Sequence, residues 1–151
     1  MNRRQTAPQR WLIISGGDGA GGFEAARRLR PGSGILLLEP LERGAMLRLR
    51  HFARQRRLTI ISEAKGDSAR VHNLGELRKA LAARTPVILL SPMFPTKSHP
   101  DWRPIPATRA ATLARLAGRR LVALGGMDER RYARIARLGF IGWAGISAFR
   151  T

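Results

Sequence analysis

Apolar residues in this chain come in short continuous runs. Each run is followed by a polar stretch and then by a segment in which apolar positions recur every three or four residues. The runs are Trp11 to Ser15, Ile35 to Leu38, Leu58 to Ile61, Val87 to Leu90, Leu121 to Leu124 and Ile141 to Ala144, with a very short one at Arg70 to His72. Runs apolar on both faces predict buried parallel strands. Between them the spacing predicts helices over Phe23 to Leu29, Leu41 to Arg56, Leu74 to Ala83, Ala107 to Ala117 and Asp128 to Leu138. Leu41, Met46, Leu49 and Phe52 form the inner side of the second helix, and Leu113 and Leu116 that of the fourth. Asp128 is a helix cap, Glu129 suits a first turn, and Gly139 is a terminator. Strand–helix alternation of this kind predicts a parallel sheet of about seven βα units. Such sheets bind ligands at the C-terminal ends of their strands. The positions to question are therefore Gly16–Gly22, Glu39, Ser62–Glu63, His72–Asn73, Ser91–His99, Gly125–Gly126 and Gly145–Ser147.

A length of 151 residues with 44% hydrophobic positions fits one domain with a real core. Residues 1–10 read as a loose basic tail, and 11–151 as the single domain. No segment reaches the roughly 18 continuous apolar residues of a membrane helix, and the N-terminal residues lack the pattern of a signal peptide. With no cysteine, disulfides and thiolate metal sites are excluded. The expectation is a cytoplasmic soluble protein with no membrane partner. The formal net charge of +18 is almost all arginine, with lysine only at Lys65, Lys79 and Lys97. It predicts non-specific affinity for polyanions. The arginines are scattered over every helix rather than gathered in one tract, so a nucleic-acid-binding role is an alternative and not the leading reading.

Three stretches carry chemistry. Ser91-Pro92-Met93-Phe94-Pro95-Thr96-Lys97-Ser98-His99 leaves a buried strand as a loop stiffened by two prolines, with hydroxyls and cations suited to a phosphate. Gly125-Gly126 and Gly145-Ile146-Ser147 end the next two strands, and glycines there expose backbone N–H groups that can cradle an anion. Gly16 to Gly22 reads as a glycine-rich loop before the first helix, and Gly17-Asp18-Gly19-Ala20-Gly21-Gly22 within it has the G-x-G-x-x-G spacing, with Glu39 ending the following strand. That leaves a Rossmann-like dinucleotide site as a further alternative. His51 reads as surface, His72 as structural, and Trp102 and Trp143 as packing residues.

These stretches also resemble a known family. Ser91-Pro92-Met93-Phe94-Pro95-Thr96-Lys97-Ser98, Ala123-Leu124-Gly125-Gly126-Met127 and Ala144-Gly145-Ile146-Ser147-Ala148-Phe149 are similar, in order and spacing, to motifs of the thiamine-phosphate synthase and thiazole tautomerase (TenI-like) family. The resemblance is specific over residues 87–149 and loose before them. It implies a TIM-type (β/α) barrel, here shortened to about seven units. It also implies the joining of a hydroxymethylpyrimidine diphosphate to a thiazole phosphate with Mg²⁺, or a degenerate member that only binds the thiazole phosphate. Thr96, Ser98 and the amides of Gly125, Gly126, Ile146 and Ser147 would hold the phosphate. Glu39, Ser62, Arg70 and His99 would be catalytic, and Glu63 would bind the metal. Several family residues are replaced here. Leu38 and Pro40 flank Glu39 where the family has cations, Ser62-Glu63 stands for its Asn-Asp, and His99 stands for its lysine. Arg70 is the candidate replacement cation on the diphosphate side. The resemblance finds no counterpart here for a fourth unit, which leaves the barrel open or closed by a partner in a homodimer.

Overall fold

The structure, a computed structural model, describes residues 7–118 and 120–150. Residues 1–6 of the expected basic tail lie outside that range. The strands are β1 (Arg10–Ile14), β2 (Gly34–Leu37), β3 (Thr59–Ser62), β4 (Ser68–Val71), β5 (Val87–Leu90), β6 (Leu121–Ala123) and β7 (Gly142–Gly145). The helices are α1 (Gly19–Arg27), α2 (Arg43–Arg56), α3 (Leu74–Ala82), α4 (Ala107–Ala117) and α5 (Glu129–Ile135). All strand pairs are parallel, in the order β3-β2-β1-β7-β6-β5-β4, and the sheet curls into a nearly closed barrel. An open doubly wound sheet of the Rossmann type is not formed.

The barrel is layered by the alternation of the strands. Trp11 and Ile13 of β1, Leu36 of β2, Val87 and Leu89 of β5, Val122 of β6 and Ala144 of β7 pack together as an inner cluster. Their neighbours point outward. Leu12, Ile14, Ile35 and Leu37 meet Ala25, Ala26, Leu29 and Leu49 of the helical layer. Ile88, Leu90, Leu121 and Ala123 meet Leu77, Ala110, Leu113 and Ala114. Both faces of each strand are thus removed from water, which is why the sequence shows continuous apolar runs instead of alternation.

The seam lies between β3 and β4, the two edge strands. Residues 63–67 join them with a single 3-10 turn over Glu63–Lys65 and no α-helix, although parallel neighbours usually need a crossover of a dozen or more residues. The short link suffices because β3 pairs only with β2 and β4 only with β5. Its neck is pinned by Asp67 N donating to Ser62 O (3.2 Å) and Ser62 N donating to the Asp67 carboxylate (2.9 Å). The expected seven βα units are therefore seven strands with five helices among the described residues.

Local expectations are corrected at four places. The glycine-rich stretch is not a loop. It is a turn over Gly16–Asp18 followed directly by α1, and Gly22 lets that helix approach β1 so closely that a Cβ would sit 3.0 Å from Ile14. The short strand begins at Ser68 instead of Arg70, because buried Ser68 starts the pairing with Val87. β1 takes in Arg10, and Gln9 O already accepts from Trp143 N, so the ordered domain starts before residue 11. Leu116 is 54% exposed, because Ala110, Leu113, Ala114 and Ala117 supply the inner face of α4. The caps are formed as the sequence indicates. Asp128 accepts from Arg131 N at 2.7 Å, and Gly139 ends the last turn with φ +106.

Three carboxylates are held below their usual range. The Arg150 guanidinium, then the Ser15 hydroxyl, lowers Asp18. Hydrogen bonding from His72 lowers Glu76, and from Arg10 lowers Glu129. Each group titrates lower in the folded state than its ordinary 3.8 (Asp18) or 4.5 (Glu76, Glu129). Each therefore stabilises the fold above those values, and the contribution is lost as pH falls from there through the folded-state pKa. Urea unfolding midpoints are expected to be flat from neutral pH down to the mid-fours and to fall below that. In Glu129→Gln the acid limb should be shallower.

Candidate functional site

The loops at the C-terminal ends of β4, β5, β6 and β7 enclose a cavity of about 270 Å³. One wall is built from two loops that hydrogen bond to each other. Met93 N donates to Leu124 O (3.0 Å) and Phe94 N to Gly125 O (3.1 Å). Gly125 and Gly126 adopt φ +96 and +60, the left-handed region that glycine enters without strain. Arg131, in the first turn of α5, donates to Gly126 O and lies over the Phe94 ring at 5.2 Å, so it ties the two loops together. Thr96 and Ser98 project from the proline loop into the cavity lining, and the Thr96 hydroxyl accepts from Ser98 N at 3.3 Å. At the end of β7, Ile146 and Ser147 complete the wall. Among the described residues, the amides of Gly125, Gly126, Ile146 and Ser147 find no backbone acceptor. N–H groups of this kind beside two hydroxyls are the donors that an anion cradle would need.

The opposite wall carries Arg70 and His72 from the end of β4, with His99 and Trp102 from the loop after β5. Trp102 sits between the imidazoles, stacked on His99 (4.1 Å, 10°) and edge-on to His72 (5.2 Å, 89°). Glu76 orients His72, with one carboxylate oxygen bound to the His72 amide (2.7 Å) and to Nδ1 (2.9 Å). Asn73 caps α3 by accepting from Glu76 N (2.9 Å), so this local frame is fixed by the helix start. Arg70 donates from Nε (3.2 Å) and Nη2 (3.0 Å) to Glu63 Oε1.

Of the residues singled out in the sequence, Arg70, Thr96, Ser98, His99, Gly125, Gly126, Ile146 and Ser147 line this one cavity. Glu39, Ser62 and Glu63 do not. Glu39 turns its carboxylate onto Gly16 N (2.8 Å), which also takes away the acid that a dinucleotide ribose would need. Ser62 is buried at the end of β3 and borders a separate pocket with Met46, Ile61 and Lys65. Glu63 is committed to Arg70, and its other oxygen is buried with no hydrogen-bond partner among the described residues. The sequence reading also assigned His72 and Trp102 structural or packing roles, whereas both face the cavity. The position of His72 at a strand end was the available signal.

Fold and site together define a class: parallel (β/α) barrels with a cavity walled by the loops that follow the last strands. The chain belongs to the thiamine monophosphate synthase family, whose model matches residues 67–149, more than half of the sequence. A thiamine-phosphate synthase of Anoxybacillus flavithermus is 39% identical over 80 residues, which are 52% of this chain and 37% of that protein. A thiamine phosphate pyrophosphorylase from Pyrococcus furiosus shares the fold, with a TM-score of 0.72 at 15% identity over 97% of this chain and 90% of that one. The matched stretch is thus little more than a third of the curated relative's length.

Proposed function

We propose that this protein acts in thiamine-phosphate synthesis, holding a thiazole phosphate in the cradle and joining it to a hydroxymethylpyrimidine diphosphate. The four unpaired amides beside the Thr96 and Ser98 hydroxyls carry the reading. They offer a phosphate donors from three loops at once, and charge-assisted bonds of this kind are the strong ones. In the reaction, the carbon–oxygen bond to the diphosphate breaks and the leaving group takes the electron pair. The thiazole nitrogen then supplies the pair for the new carbon–nitrogen bond. The protein's part is to fix the nitrogen next to the cationic carbon and to stabilise charge on the leaving group. Arg70, His72 and His99 stand on the side available for that charge.

Magnesium, which the family resemblance implies, does not fit the residues present. A hard divalent cation needs several oxygen ligands. Glu63 Oε1 is occupied by Arg70, and Oε2 is shut away from solvent and cavity. Among the described residues no group of three or more His, Asp or Glu is placed to hold an ion. No step is therefore assigned to a metal.

A second reading has its own support. Glu39 and Ser62 lie outside the cavity, and a volume near 270 Å³ falls just below the ~300–1,000 Å³ of ordinary ligand pockets. A protein that binds thiazole phosphate without turnover fits these facts. One experiment separates the readings: calorimetry with thiazole phosphate, then incubation with both substrates and detection of thiamine phosphate. Synthesis requires binding and product. Binding without product makes the protein a thiazole-phosphate carrier, and absence of binding removes both readings.

A further inference from the structure

The wall opposite the cradle is cationic and aromatic, and no Asp or Glu contributes to the lining of the cavity. Arg70 is anchored from behind by Glu63, which uses Nε and Nη2 and leaves Nη1 with no hydrogen bond among the described residues. The His72 ring is aimed by Glu76 through Nδ1, which leaves Nε2 as the ring nitrogen with no hydrogen bond among the described residues. His99 is laid flat against Trp102, and Trp102 in turn braces His72. The three side chains come from β4 and from the loop after β5, and they face the cradle formed by the loops after β6 and β7. A carboxylate-rich pocket would recruit a divalent cation to bridge an anion. With no carboxylate in the lining to recruit a divalent cation, the Arg70 guanidinium meets the anion directly.

We infer that this wall is a second anion subsite that takes a diphosphate group by direct contact with Arg70, His72 and His99, with no divalent metal between. The inference rests on the cradle reading of the same cavity. It assigns Glu63 to positioning the guanidinium, in the place where a metal ligand would otherwise be expected. Arg70 suits the role because its planar fork pairs with two phosphate oxygens while its other edge stays on Glu63.

The test is calorimetric titration of the full chain with inorganic diphosphate, after the cradle has been saturated with inorganic phosphate, once in EDTA and once in magnesium chloride. The same affinity is expected in both. Arg70→Ala should weaken diphosphate by about ten- to a hundredfold, the value of a hydrogen bond to a charged group, while leaving phosphate binding intact. Phosphate binding by that variant also reports that it is folded. Arg70→Lys should recover part of the loss. Diphosphate binding that needs magnesium overturns the inference and leaves the cradle standing. So does diphosphate that merely displaces phosphate, or an Arg70→Ala chain that binds diphosphate like the wild type. A wild-type chain that binds neither anion overturns the cradle reading and this inference together.

Discussion

Replacing Gly126 with valine is expected to lower phosphate affinity by about a hundredfold, the loss of two charge-assisted hydrogen bonds. The backbone conformation at this residue is the first reason. At φ +60 a β-branched side chain is strained, at a cost of about 1–3 kcal/mol in stability. The second reason is space. A Cβ at Gly126 would press on the carbonyls of Pro95 and Phe94 and lie 3.1 Å from the Arg131 guanidinium, and one at Gly125 would lie 2.9 Å from Pro92 Cα. Apart from the Arg131 tip, these neighbours are backbone of the proline loop, which cannot step aside as a side-chain tip could. The substitution would push apart the two loops whose amides and hydroxyls form the cradle. Gly125→Ala should act in the same direction for the same reason. Gly17→Ala is the contrasting variant, since nothing lies within 4 Å of a Cβ there. It should bind phosphate as the wild type does. Phosphate calorimetry with denaturant unfolding on all three chains checks this, and a Gly126→Val protein with unchanged affinity would remove the Gly125–Gly126 amides from the site.

The residues of the cavity wall proposed as the cradle could be picked out in the sequence because each part is local. A buried strand ends, a stiff hydroxyl-bearing loop follows, and two later strands end in glycine. The strands and helices that came out with the expected bounds, Val87–Leu90 and Ala107–Ala117, are those whose apolar pattern is uninterrupted. β4 was misplaced because its first residues, Ser68 and Ala69, are not strongly apolar, although Ser68 is buried. The glycine stretch looked like a loop because glycine disfavours helix. The close approach of α1 to Ile14 overrides that local preference. What could not be read were meetings between distant segments. Glu39 is captured by Gly16, 23 positions away, and Glu63 by Arg70 across the link between the edge strands. His72 and Trp102, 30 residues apart, become ring partners only once the β4 end and the loop after β5 share a cavity. The way the barrel closes was equally out of reach, because it depends on β3 and β4 each pairing on one side only.

Trp11 sets the other large expected effect. Its indole is 2% exposed and belongs to the cluster inside the barrel, where β1 places it level with Gly34 of β2 and Ala144 of β7. A Cβ on Gly34 would fall within the indole ring, so the largest side chain of the interior is matched to the smallest residue opposite. Removing the ring should leave a cavity that backbone strands cannot collapse to fill. Trp11→Ala is therefore expected to cost about 3–5 kcal/mol, which for a chain of this size is roughly a 10 °C fall in Tm. Trp11→Phe should behave differently. The buried indole Nε1 has no hydrogen-bond partner among the described residues, and an orphaned buried donor costs about 1–3 kcal/mol. Phenylalanine gives up some packing volume but also removes that donor, so the two effects offset and the net change should stay below about 1.5 kcal/mol. Gly34→Ala, which forces the ring aside, should be destabilising in the wild type and better tolerated in Trp11→Phe, a coupling that a double-mutant cycle measures. Because Trp11 does not line the ligand cavity, Trp11→Phe should bind phosphate with wild-type affinity. A Trp11→Ala chain as stable as the wild type would mean that the interior is not held by this plug.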